Sequence, residues 1–144
     1  MKRRDLLLLL GGLMTATRAL RAEQMPVIGW LDANSAGFRA PHMAAYRQGL
    51  SETGYVAGQN VVIEYRWAEG SYDRLPELAA DLVGRKVDVV AAASVPAALA
   101  AKNGTSTIPI VFSAADPVGA GLVASLARPG GNLTGTARRF PVFL

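Results

Sequence analysis

Residues 73–92 read DRLPELAADLVGRKVDVVAA, and this stretch decides the fold. Leu75, Leu78, Ala79, Leu82 and Val83 recur at i, i+3, i+4, i+7 and i+8, the apolar stripe of a helix lying on a core. The spacing predicts a helix over about 73–84, with Ser71 or Asp73 as its cap and Gly84 at its end. The pattern then changes. Val87 to Ala92 is short and mostly apolar, as expected of a strand buried on both faces. A helix feeding such a strand belongs to a sheet with helices on either side.

On the N-terminal side, residues 60–67 alternate. Val61, Ile63, Tyr65 and Trp67 point one way, and Val62, Glu64 and Arg66 the other. A strand polar on one face sits near a sheet edge. Before it, residues 40–53 read as a helix, with Pro41 in the first turn, Met43, Tyr46, Arg47 and Leu50 at helical spacing, and Gly54 as the stop. Residues 26–32 read as the first strand. On the C-terminal side, a small alanine-rich helix over about 95–103 follows Ser94 and Pro96. Ile108 to Ser113 is a second buried strand, Asp116-Pro117 opens a helix to about Ala127, and Leu133 to Ala137 is the last strand. Right-handed crossovers on this βαβαβαβαβ order predict an α/β, doubly wound, Rossmann-like parallel sheet of order 2-1-3-4-5, with 60–67 at the edge.

Composition narrows the function. Apolar residues make up 51% and charged residues 18%, which suits a packed core rather than disorder. The absence of cysteine removes disulfides, thiol nucleophiles, thiolate metal sites and an acylated lipoprotein cysteine. A single histidine, His42, gives little for a transition metal, so no metal site is expected. The net charge of +4 comes from the first 22 residues, where Lys2, Arg3, Arg4, Arg18 and Arg21 face Asp5 alone. From residue 23 onward 10 basic and 10 acidic side chains balance, so nucleic acid is not expected as a partner.

Residues 1–22 carry the marks of an export leader. A basic head precedes an apolar stretch from Leu6 to Ala16, and Ala19 and Ala22 offer small residues for cleavage. That stretch falls short of the roughly 20 residues a membrane-spanning helix needs, so no stable membrane span is expected once the leader is cut. Arg3-Arg4-Asp5-Leu6-Leu7 resembles a twin-arginine signal. The competing reading keeps the segment as an N-terminal anchor.

In doubly wound sheets, ligands bind beyond the carboxyl ends of the strands. Three small polar segments fall there: Asn34 and Ser35 after the first strand, Ala93, Ser94 and Val95 after the third, and Ser113 to Asp116 after the fourth. Each leads into a helix, where free backbone N–H groups favour an anion. Each polar side chain could equally cap its own helix, and for Asp116 the cap is favoured because Pro117 follows it. No phosphate loop, dinucleotide fingerprint or nucleophile elbow is present. Neither an enzyme nor a cofactor is therefore expected.

Several segments together resemble a widespread bacterial family of ABC-transporter substrate-binding proteins. They are Val27 to Leu31, Gly54 to Val61, Arg74 to Ala79, Ile108 to Phe112, Asp116-Pro117-Val118, and Ser125 to Gly135. The resemblance implies the first lobe of a type I periplasmic-binding fold, in which two lobes close over a small, amino acid-like solute. It implies a periplasmic location and delivery of the solute to permease subunits in the inner membrane. It also maps the cleft onto Asn34, Ser35, Ala93, Ser94, Val95, Ser113 and Asp116. On this reading residues 23–137 form the solute-binding lobe, 138–144 are an aberrant tail, and the second lobe is missing. The alternative is a free-standing flavodoxin-like regulatory or interaction domain.

Overall fold

The computed structural model describes residues 25–125 and 130–137. The leader and tail readings, at 1–22 and 138–144, lie outside them. Five strands, β1 (Val27–Asp32), β2 (Val62–Trp67), β3 (Val89–Ala92), β4 (Ile110–Ala114) and β5 (Leu133–Ala137), form one parallel sheet in the order β2-β1-β3-β4-β5. Among the described residues the connections hold three α-helices, α1 (Ala36–Glu52), α2 (Leu75–Gly84) and α3 (Val95–Gly104). The expected class and strand order are both present.

Alternation along the strands divides the core into two layers. On one face α2 and α3 cover Leu31, Val90, Ile110 and Phe112, and the chain after β4 adds Leu122 and Val123. On the other face α1 lays Met43, Tyr46 and Leu50 over Ile28, Trp30, Ala91 and the Ile63–Tyr65–Trp67 row of β2. The opposite row of β2 is polar, as its alternation predicts. There Arg66 joins Asp81 of α2 at 2.6 Å and Glu64 at 3.3 Å. One helix spans about two strands, since strands lie roughly 5 Å apart and helices are about 10 Å wide. The α1 face therefore keeps an apolar groove of about 390 Å³, bordered by Trp30, Leu50, Ala91 and Val111, with Val111 45% exposed.

Most boundaries shift by one or two residues: the helix expected over about 73–84 begins at Leu75, behind a 3-10 turn at Tyr72–Arg74, and Ser71 makes no capping bond. Two differences are larger. Helix α1 begins at Ala36 rather than near residue 40, because the Ser35 hydroxyl accepts the Phe38 N–H at 3.3 Å and caps it four residues early. Pro41 thus lies inside α1 rather than in its first turn, and the helix forgoes the bond that residue 41 would donate to Gly37. The second difference follows Asp116. Where a helix to Ala127 was expected, residues 117–121 form turns. The Asp116 carboxylate accepts the Gly119 N–H at 2.9 Å, as a cap should, but Gly121 then takes φ of 75°, which ends the helical path. Leu126 and Ala127 fall outside the described residues.

The chain is re-tied to the sheet at Asn132. Its amide donates to the carbonyls of Ile108 at 2.6 Å and Thr105 at 3.3 Å, which sets the start of β5 beside that of β4. Among the described residues no helix is long and apolar enough to cross a membrane.

Candidate functional site

Because the strands are parallel, β1, β3 and β4 all end at one edge of the sheet, and the loops after them meet. After β1, Asp32 is fully buried. Its Oδ1 accepts the backbone N–H of Asn34 at 2.9 Å and the Asn34 side-chain amide at 3.1 Å, while Oδ2 accepts the Trp30 indole N–H at 3.2 Å. The carboxylate thus folds the loop back on itself as an Asx turn and presents Ser35 to α1.

After β3, Ser94 caps α3. Its Oγ accepts the Ala97 N–H at a long 3.4 Å, and Pro96 occupies the first turn, where no donor is needed. A hollow of about 260 Å³ opens there, lined by Ala93, Ser94, Val95 and Pro96 on one side and by Ser113, Ala114 and Ala115 after β4 on the other. Four expected site residues, Ala93, Ser94, Val95 and Ser113, therefore come together. The other three do not line this hollow. Asn34 is held by Asp32, Ser35 caps α1, and Asp116 is exposed and engaged with Gly119.

The hollow's remaining wall is Arg39, at the end of the first turn of α1. Arg39 is 6% exposed, and its Nε lies 2.8 Å from Asp32 Oδ2. This is a charge contact rather than an aligned hydrogen bond, because the Nε–H does not point along the line to the oxygen. One Nη2 hydrogen goes to the Ala93 carbonyl at 3.4 Å. Arg39 thereby joins α1 to the ends of both β1 and β3. The sequence reading missed Arg39 because it placed residue 39 ahead of the helix. The available signal was an acid closing a buried strand with an arginine seven residues on, which becomes informative once the helix start is moved to Ala36. Among the described residues no group of three or more His, Cys, Asp or Glu gathers to hold a metal.

Loops of this kind at one sheet edge suit capture of a small ligand. The sequence model of the ABC transporter substrate binding protein family matches residues 39–142. The chain belongs to that family. Substrate-binding proteins of this family are transport components rather than enzymes. A curated relative, the tyrosine-binding protein of Clostridioides difficile (strain R20291), is 43% identical over 89 residues, covering 61% of this chain and 26% of the relative. Among solved structures, the ligand-free, open form of a substrate binding protein with adhesive properties from Clostridium difficile is 30% identical with a TM-score of 0.75. It covers 82% of this chain and 40% of that one. An ABC domain in complex with L-Trp from Streptococcus pneumoniae is 31% identical with a TM-score of 0.72, over 78% of this chain and 38% of that one. The chain thus spans about a quarter of the curated family member and about two fifths of the solved ones.

Proposed function

We propose that this chain is the ligand-facing first lobe of a solute-binding component of an ABC importer, shaped to hold one side of a small amino acid-like solute. The observation that carries the reading is the hollow where Ser94, at the start of α3, faces Ser113, after β4. Family membership supports it, and so do a relative named as tyrosine-binding and a solved neighbour in complex with L-Trp. A closed cleft covers roughly 70–90% of a small ligand, and a hollow of this size covers one end of it. If the opposing lobe contributes about 4 kcal/mol, one lobe alone binds about a thousandfold more weakly.

Calorimetry tests this. The chain should bind tyrosine or tryptophan only weakly, and a fusion carrying a relative's second lobe after Ala137 should bind tightly. A folded fusion that binds no amino acid overturns the reading, and micromolar binding by the chain alone overturns the half-site argument. The proposal includes export through a cleaved leader and hand-over of the solute to permease subunits in the inner membrane. Mass spectrometry of the periplasmic fraction should then find a mature N-terminus near Glu23, and intact protein confined to the cytoplasm would contradict it.

A further inference from the structure

A guanidinium almost wholly out of water needs partners for five N–H groups, and Arg39 spends few of them on the protein. Nε sits against Asp32 without an aligned hydrogen bond, and one Nη2 hydrogen reaches the Ala93 carbonyl. Nη1 makes no hydrogen bond with any described residue. Asp32, by contrast, is saturated by Asn34 and Trp30, so it holds the guanidinium in place and has little left for a solute. On the same wall, the Ser94 hydroxyl accepts from Ala97 and keeps its own hydrogen to donate. Val95 is the first residue of α3, so its amide has no acceptor within the helix and is a further donor there.

We propose that Arg39, oriented by Asp32, is the residue of this hollow that recognises a carboxylate, with Ser94 and the Val95 amide as the remaining donors. The proposal rests on the solute-capture reading and gives it a chemical class: a carboxylic acid, bound acid-end first, with the rest of the molecule directed out of the hollow. Two features favour a single negative charge over a phosphate. Asp32 already offsets the charge of Arg39. The helix start adds only about half a positive charge. The guanidinium edge can pair with two oxygens of a carboxylate in one plane, although it pairs with a phosphate in the same way, so the charge balance decides between them.

The test follows the amide signals of Ser94 and Val95 and the Arg39 Nε–H by NMR, in the whole chain. Propionate, inorganic phosphate, L-tryptophan and tryptamine are added separately. Propionate and L-tryptophan should shift these signals, and tryptamine, which lacks the carboxylate, should bind at least about tenfold more weakly, the loss expected for a charge-assisted hydrogen bond. If propionate binds and L-tryptophan does not, the carboxylate site stands and the solute-capture reading fails. Equal binding of L-tryptophan and tryptamine leaves capture standing and overturns the role of Arg39. Phosphate binding as well as propionate overturns the chemical class, and no shift with either acid overturns the site. Arg39→Lys keeps the charge beside Asp32 but loses the fork, and should weaken propionate binding about tenfold. Should that variant unfold, the double change Asp32→Asn with Arg39→Gln removes both charges together, and its retention of propionate affinity would equally overturn the proposal.

Discussion

Gly135 stands opposite Phe112 across the β4–β5 ladder, and a Cβ placed on it would collide with the Phe112 carbonyl oxygen and ring. A backbone oxygen held in a sheet cannot step aside. Gly29 is crowded differently: its nearest neighbours are the Leu82 methyls at 3.0 and 3.1 Å, which are the far end of a flexible side chain. Gly135→Ala should therefore destabilise the chain by about 3 kcal/mol and Gly29→Ala by about 1 kcal/mol, read from urea midpoints. Equal midpoints would refute the distinction. Tyr46 makes a second residue-scale prediction. Burial, then the neighbouring Tyr65, raises its hydroxyl pKa above the ordinary 10.0. Below pH 10 both folded and unfolded chains keep this proton. As the pH rises further the unfolded chain releases it first, so stability is lost through the raised folded value. Tyr46→Phe should flatten that loss above pH 10, measured by denaturant titration at each pH.

At the scale of elements, the hydroxyl of Ser94 has two candidate duties, and substitution separates them. Removing an N-cap costs about 1 kcal/mol when alanine replaces it and a few tenths when glycine does. Ser94→Ala should lower stability by about 1 kcal/mol, while Ser94→Gly should leave it nearly unchanged. Both should weaken solute binding in the two-lobe fusion, and unaltered affinity in Ser94→Gly would assign this serine to capping alone. The elements themselves were largely legible. The stripe from Leu75 to Val83 and the alternation from Val61 to Trp67 announce their structures because each buries one side only. The failures occurred where local signals were sound but tertiary geometry decided. Asp116-Pro117 opens a turn as a helix start should, yet Gly119 and Gly121 follow, and the chain turns instead. At α1, Pro41 suggested a first turn, and the cap at Ser35 outweighed it. That error hid Arg39, since a charged residue placed in a loop attracts no notice, whereas at the end of the first turn of a helix it faces the strand ends.

Across the whole molecule, the strand order followed from handedness and alternation alone, because few right-handed arrangements put the half-polar strand at the edge. The location of the hollow followed from the same topology. Which of the loop residues would converge there did not, since that depends on which side chains are already committed to caps. The two layers are also unequal. The layer beneath α2 and α3 contains neither tryptophan nor tyrosine among its buried members, Phe112 being its aromatic residue. Both tryptophans of the chain, Trp30 and Trp67, lie under α1, the former edge-on to Tyr46 with centroids 4.9 Å apart and the latter stacked on Tyr65 at 5.8 Å. Intrinsic fluorescence is therefore a reporter for one layer, and the other is spectroscopically silent. Far-ultraviolet dichroism sums the helices of both layers, so the two signals weigh the layers differently. Among the described residues the α1 layer has one helix and a groove on its face, so it has fewer supports and should loosen first. In a denaturant titration, tryptophan emission should then change at a lower concentration than dichroism, and coincident curves would mean that both layers unfold as one unit.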